Sequence, residues 1–345
     1  MTGLLHAVEL SYWQVTVLRV VGVLVAVILP AGGFVYVFLF KMMSFMQSRL
    51  GPMEAGPYGS MQLLAEVGKF LQKEDIVPAR ADRRLFFMAP YIVLASTFLL
   101  FVVMPFGPDA YFANLDTGIF LALGLSSVSV IGILIAGWAS ANKYSLIGGL
   151  RAAGQLIAYE LPMVLAVVGV VIQAGTLNLQ GIVAAQHEGS IFGVHRIGNP
   201  FLLTQIVGFL VFLIATQAEL TQTPFDMPVA ESEIVTGYIT EYSGLRFLLF
   251  FIGEFATAGA FAALAATLFL GGWAVPGVSL DDNVMNVVGP LVLFAKMMLV
   301  GFLIFWARFT FPRFREDQLQ AFAWKYLIPI SLINILVTMA LKVAF

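Results

Sequence analysis

Two glutamates interrupt long apolar stretches of this chain, Glu160 in GQLIAYELP and Glu254 in LFFIGEFATAG. A charge inside a membrane span costs about 2.5–3.5 kcal/mol on insertion scales, so such a residue is first of all a functional candidate. Glu219 borders a third apolar stretch, and Lys296 lies midway in a fourth. Snorkelling or a structural pair with a carboxylate would account for Lys296, and a structural pair is also open to Glu160 and Glu254. The densest acidic group is TPFDMPVAESEIVTGYITEYSGLR, with Asp226, Glu231, Glu233 and Glu241 against a single base, Arg246. Pro224 and Pro228 break helix there, and Gly237 and Gly244 loosen the backbone. Carboxylates crowded into a poorly hydrated site raise one another's pKa and can exchange protons near neutral pH. Glu160, the acidic loop and Glu254 therefore read as a proton relay. The plainer alternative is a solvated acidic loop that docks a basic partner.

Such residues need a membrane around them, and composition supplies it. Hydrophobic residues make up 60% of the 345 and charged residues 11%, with a mean hydropathy of +0.93. So little charge cannot cover a water-facing surface of this size. The expected fold is all-α, one polytopic transmembrane domain over residues 1–345. A spanning helix needs about 20 apolar residues. Eight candidates run near Val15–Phe40, Phe86–Pro105, Gly118–Trp138, Leu156–Ala174, Phe201–Gln217, Phe247–Leu270, Val287–Trp306 and Tyr326–Phe345, the fifth being the shortest. Pro30, Gly32 and Gly33 predict a kink or tilt in the first.

The segments 41–85, 139–155, 218–246 and 307–325 hold 14 of the 18 Lys and Arg. The opposite segments hold only Arg196. The positive-inside rule places the four basic segments in the cytoplasm and both termini outside. Within Gln62–Lys73, the residues Leu63, Leu64, Val67, Phe70 and Leu71 share one helical face, opposite Glu66, Lys69 and Lys73. This predicts an amphipathic helix at the membrane surface or under a partner subunit.

Other chemistries find no support. With no cysteine, the chain can hold no thiolate-ligated iron–sulfur cluster and no cysteine nucleophile. A redox centre would be a dissociable cofactor or sit on another subunit. Phosphate-loop, dinucleotide, zinc-protease and hydrolase motifs are absent. His6, His187 and His195 lack metal-ligand spacing, so no metal is expected. A net charge of −2 gives no case for nucleic acid. The N-terminus has no basic region and carries Glu9, so it does not read as a cleaved signal peptide.

The motifs resemble those of a known family. In the first loop, Gln47-x-Arg49-x-Gly51-Pro52 precedes Gly56-Pro57-x-Gly59, Gln62, Ala65, Lys69, Lys73-Glu74 and Pro78. Then come Ala136-Gly137-Trp138-x-Ser140, Lys143-Tyr144, Arg151, Gln155 and Tyr159-Glu160. The acidic loop gives Pro224-Phe225-Asp226, Glu231-Ser232-Glu233, Gly237-Tyr238 and Glu241-Tyr242-Ser243-Gly244. The last loop gives Trp306-x-Arg308-x-Thr310, Pro312-Arg313-x-Arg315, Asp317-Gln318-Leu319 and Trp324-Lys325. In this order the chain resembles, almost end to end, the ND-one-type membrane subunit of complex I, the proton-pumping NADH:quinone oxidoreductases.

The resemblance implies a chamber for quinone, a dissociable substrate, formed with peripheral-arm subunits that carry flavin and iron–sulfur clusters. It implies a carboxylate relay toward antiporter-like membrane subunits. Glu160, Glu231, Glu254, Glu241 and Glu66 would belong to the relay. Gln47, Arg49, Lys69, Asp226 and Glu233 would lie near the chamber. Four positions depart by losing a charge, namely Leu39, Phe40, Gln222 and Val229, and Glu66 replaces a usual aspartate. The competing readings are the membrane subunit of an energy-converting hydrogenase, a secondary transporter and a passive scaffold within a complex. No internal repeat of transporter type is visible.

Overall fold

The computed structural model describes residues 12–189, 199–275 and 281–344. His6, Glu9, His195 and Arg196 lie outside the described residues, as does the last residue of the predicted eighth span. The principal helices are α1 (Tyr12–Phe34), α2 (Gln62–Gln72), α3 (Arg83–Val103), α4 (Gly118–Ala139), α5 (Lys143–Ala174), α6 (Leu179–Glu188), α7 (Ile206–Glu219), α8 (Gly244–Phe269) and α9 (Asp282–Thr310). The last, α10 (Glu316–Ala344), contains a π-helical turn at Ala323–Leu327. Among the described residues, seven helices are long and apolar enough to cross a membrane, and α7 is a shorter apolar helix. The polytopic all-α expectation is met.

The boundaries differ from the hydropathy reading for a physical reason. α5 starts at Lys143, well before Leu156, because the Asn142 side chain caps it by accepting from Tyr144 N at 2.9 Å. Its first turns carry Lys143, Arg151 and Gln155, so they escape a search for apolar runs. α9 and α10 likewise begin with acidic residues that the apolar windows left out. Most of 139–155, and much of 307–325, is therefore helix continuous with a span. The distortion predicted at Pro30 follows just after it, where α1 widens into a π-helical stretch over Val35–Met42.

α7 has 14 residues and covers only about 21 Å, short of the roughly 30 Å hydrocarbon layer. A single turn, Phe201–Thr204, precedes it across a break at Gln205. The buried Gln205 amide is satisfied from α10. It donates to Thr338 Oγ1 at 2.7 Å and accepts from Asn334 Nδ2 at 2.9 Å.

α8 is the central span. Of its apolar window 67% is buried, against 22% for α10. Its run of small residues from Ala256 to Ala266 lets neighbouring helices approach closely. A Cβ on Gly259 would stand 2.8 Å from Pro30 Cβ of α1. Phe305 of α9 packs between Phe34 and Phe38 of the first span and Phe255 of α8, at ring separations of 5.7, 5.2 and 5.8 Å. The amphipathic helix forms as expected. It is seated on α8 by Phe70 stacked on Phe247 at 5.4 Å, while Leu64 and Leu71 remain exposed.

Because α1 and α8 meet at Gly259, a β-branched side chain there overpacks the junction, at a cost of about 1–3 kcal/mol. Gly259→Val is expected to lower the amount of folded chain in membranes and the melting temperature in detergent. Gly68→Ala, where a Cβ meets nothing within 4 Å, is the control and lowers neither.

Candidate functional site

The acidic loop leaves α7 at Glu219 and joins α8 at Gly244. Side chains from the flanking helices fix its path. Gln155 Nε2 of α5 donates to the carbonyls of Ala218 and Phe225 at 2.7 and 2.8 Å. Gln217 Nε2 donates to Thr223 O at 2.7 Å. Phe314 N donates to Pro224 O at 3.0 Å. Gly237 has φ +59°, and a Cβ there would fall 1.7 Å from Pro228 O. Only glycine fits where the loop folds back on itself.

This loop, α8 and α9 enclose a cavity of about 150 Å³. Its charged and polar lining includes Asp226, Glu231, Glu254, Gln222, Tyr238 and Arg308, and its apolar side includes Phe247, Phe250 and Phe251. Three predicted acids thus meet in one place. Arg308 Nη1 lies 3.5 Å from Glu254 Oε1, and Gln222 Nε2 donates to the same oxygen at 3.3 Å. Arg313 donates to Asp226 Oδ2 at 2.9 Å and to Ser232 Oγ at 3.1 Å. Burial pushes the Asp226 carboxyl above its ordinary pKa, and Arg313 opposes that rise. Burial also raises the Tyr238 phenol, with Glu254 and Asp226 adding to the effect.

A second acidic group lies between α5 and α7. Glu160 accepts a hydrogen bond from Ser127 Oγ of α4. Glu219 is buried and within electrostatic reach of Glu160. Glu219 Oε2, Gln155 Oε1, Gln217 Oε1 and Gln222 Oε1 are buried and receive no protein donor. Such oxygens are ordinarily satisfied by bound water.

The other predicted residues stand apart from the cavity lining. Glu241 Oε1 accepts from Asn142 Nδ2 at 2.5 Å, at the start of α5. Glu233 pairs with Arg151 at 2.7 Å, and Arg151 also reaches Glu316 at 3.5 Å. On the first loop, Glu66 pairs with Lys69 and accepts from Gln62 at 3.1 Å, and Arg49 donates to Gln47 at 2.7 Å. Of the departures, Gln222 and Val229 line the cavity, whereas Leu39 and Phe40 pack against the main core. Sequence reasoning reads Arg308 and Arg313 as topology-setting bases, yet both pair with candidate acids. It passes over Glu219 as a border residue. A signal for Glu219 does exist: it stands seven residues before Asp226 at the end of an apolar run. Among the described residues no group of three His, Asp or Glu is arranged to hold a metal ion.

A family model described as NADH dehydrogenase matches residues 18–339. The chain belongs to this family. It is similar to the H subunit of NADH-quinone oxidoreductase from Brevibacillus brevis, 44% identical over 328 residues, 94% of each chain. The corresponding H subunits of Bacillus cytotoxicus and Anoxybacillus flavithermus are each 45% identical, covering 88% of this chain and 87% of theirs. The NADH dehydrogenase match includes the whole acidic loop and every residue of the cavity lining.

In this family member Arg313 is the chief cation holding Asp226 down. Arg313→Gln removes it while burial remains, so the pH at which Asp226 ionises is expected to rise. Difference infrared spectroscopy of its carboxyl stretch, assigned with Asp226→Asn, reads that pH. An unchanged or lowered value would contradict the electrostatic account.

Proposed function

We propose that this chain is the membrane subunit of a proton-translocating NADH-quinone oxidoreductase, lining the quinone chamber and carrying a carboxylate relay away from it. The observation that carries the reading is the cavity where Asp226, Glu231 and Glu254 meet Arg308 and Tyr238. Its lining suits a quinone head group. Phe247, Phe250 and Phe251 offer apolar ring faces, and Arg308 and Tyr238 offer donors to the carbonyl oxygens, which are acceptors only. Quinone is the dissociable substrate, and reducing it to quinol consumes two electrons and two protons. The electrons come from flavin and iron–sulfur clusters on peripheral-arm subunits, since this chain has no cysteine.

The acids then divide by place. Asp226 lines the cavity nearest Arg313, which balances its charge. Glu231 and Glu254 line the cavity, and Glu254 is balanced by Arg308. A change of charge at the head group alters which of these carboxyls holds a proton. The buried oxygens of Gln155, Gln217, Gln222 and Glu219 offer sites for water between the cavity and the Glu160–Glu219 pair. Beyond that pair the proton passes to antiporter-like membrane subunits. Glu241 is placed to adjust the start of α5, which bears Glu160. In this reading Gln47, Arg49, Lys69 and Glu233 lie around the chamber on the cytoplasmic side, and Glu66, paired with Lys69, belongs to the relay from the first loop. The charge asymmetry supports basic segments on the cytoplasmic side of a bacterial inner membrane, with both termini opposite.

Glu160→Gln and Glu231→Gln are expected to leave the complex assembled and to lower quinone-linked proton pumping at least ~10-fold, below what a positioned proton-transfer group typically contributes. Inverted membrane vesicles with a pH-sensitive dye provide the measurement, and full pumping by both variants rejects the relay. Purification in mild detergent is expected to bring down flavin and iron–sulfur subunits. A nickel–iron hydrogenase subunit in their place would instead support the hydrogen-evolving alternative.

A further inference from the structure

Lys296 and Lys342 each place an ammonium on backbone carbonyls at or just beyond the end of another helix. Lys296 is on α9, yet its Nζ turns to the end of α8. It donates to the carbonyls of Leu270, Gly272 and Ala274 at 2.7, 2.8 and 2.6 Å. Lys342 is on α10, and its Nζ donates to the carbonyls of Ile172 and Gln173 at the end of α5, the latter at 3.4 Å. Among the described residues neither lysine pairs with a carboxylate.

The two ends have the same construction. α5 is followed by Gly175 at φ +77°, and α8, after Leu270, by Gly271 at φ +76°. A Cβ on either glycine would stand 3.7 or 3.9 Å from the respective Nζ. A helix C-terminus carries partial negative charge and carbonyls without intrahelical partners. In a membrane those carbonyls must be satisfied within the protein. An ammonium from another span supplies the positive charge at both ends, on the last-turn carbonyls of Ile172 and Gln173 in α5 and on the carbonyls of Leu270, Gly272 and Ala274 that lead directly out of α8.

The helices capped in this way are the two that bear Glu160 and Glu254. Their opposite ends are also tied. Arg246, one turn into α8, pairs with Asp75 at 2.8 Å, and Ser243 Oγ donates to Glu74 O at 3.0 Å. The Asn142 cap ties the start of α5 to Glu241. We propose that Lys296 and Lys342 are positioning residues that fix the height of α8 and α5 along their axes, and so place Glu254 against Arg308 and Glu160 against Ser127. This rests on the reading of those glutamates as relay groups. A helix is stiff along its axis, so a slide at its far end reaches the carboxylate about 21–24 Å away. A shift of about 1 Å takes a hydrogen bond out of range.

The test uses the intact complex with Lys296→Met, Lys296→Arg and Lys342→Met. Amide exchange at residues 170–175 and 266–275 reads the caps, and protons translocated per NADH oxidised in vesicles reads the positioning. Each Met variant is expected to speed exchange at its own helix end by ~10-fold or more and to lower the proton yield per NADH. Lys296→Arg, which keeps donors and charge, is expected to restore much of both. Unchanged exchange in the Met variants overturns the proposal. So does faster exchange with an unaltered proton yield. Should Lys296→Met not assemble, Lys342→Met decides by the same two readouts, since Lys342 is exposed. Glu160→Gln and Glu254→Gln in the same vesicles separate the two ideas. Full pumping there removes the relay reading, whereas the exchange result on the caps stands by itself.

Discussion

A charge carried into a bilayer must find its partner inside the protein, and that constraint organises this molecule. Glu254 meets Arg308 and Gln222, Glu160 meets Ser127, and Lys296 meets three carbonyls. Each pairing joins different segments of the chain. The helices are therefore tied together most firmly where their side chains are least at home in lipid. The aromatic packing around Phe305 lies one turn from Arg308 and fills the space beside it. The chemistry and the core are contiguous.

Much of this was legible in the residues. The spans, the surface helix Gln62–Gln72 and the acids of the loop follow from apolar runs, one-face spacing and misplaced charge. Helix starts were not legible, because α5, α9 and α10 begin with polar turns that an apolar search discards. Nor was the partnership of bases and acids. Arg308 and Arg313 belong to a basic segment that reports topology, but they also reach Glu254 and Asp226. One residue can serve both purposes, and sequence order shows only the first. Lys296 was legible as an anomaly, while its carbonyl partners depend on how α8 ends.

The departures from the family pattern fall into two structural classes. Leu39 and Phe40 pack against the main apolar core. Gln222 and Val229 face the cavity itself. There Gln222 still donates to Glu254, so a hydrogen bond persists without a full charge.

Asn142 has a consequence of a different kind. Its oxygen caps the first turn of α5 and its nitrogen serves Glu241. An amide has one end of each type. Turning it over would present nitrogen to the Tyr144 N–H and oxygen to the carboxylate, losing both bonds in one movement. The helix start and the loop therefore share a single side chain, and replacing it removes a tether from both.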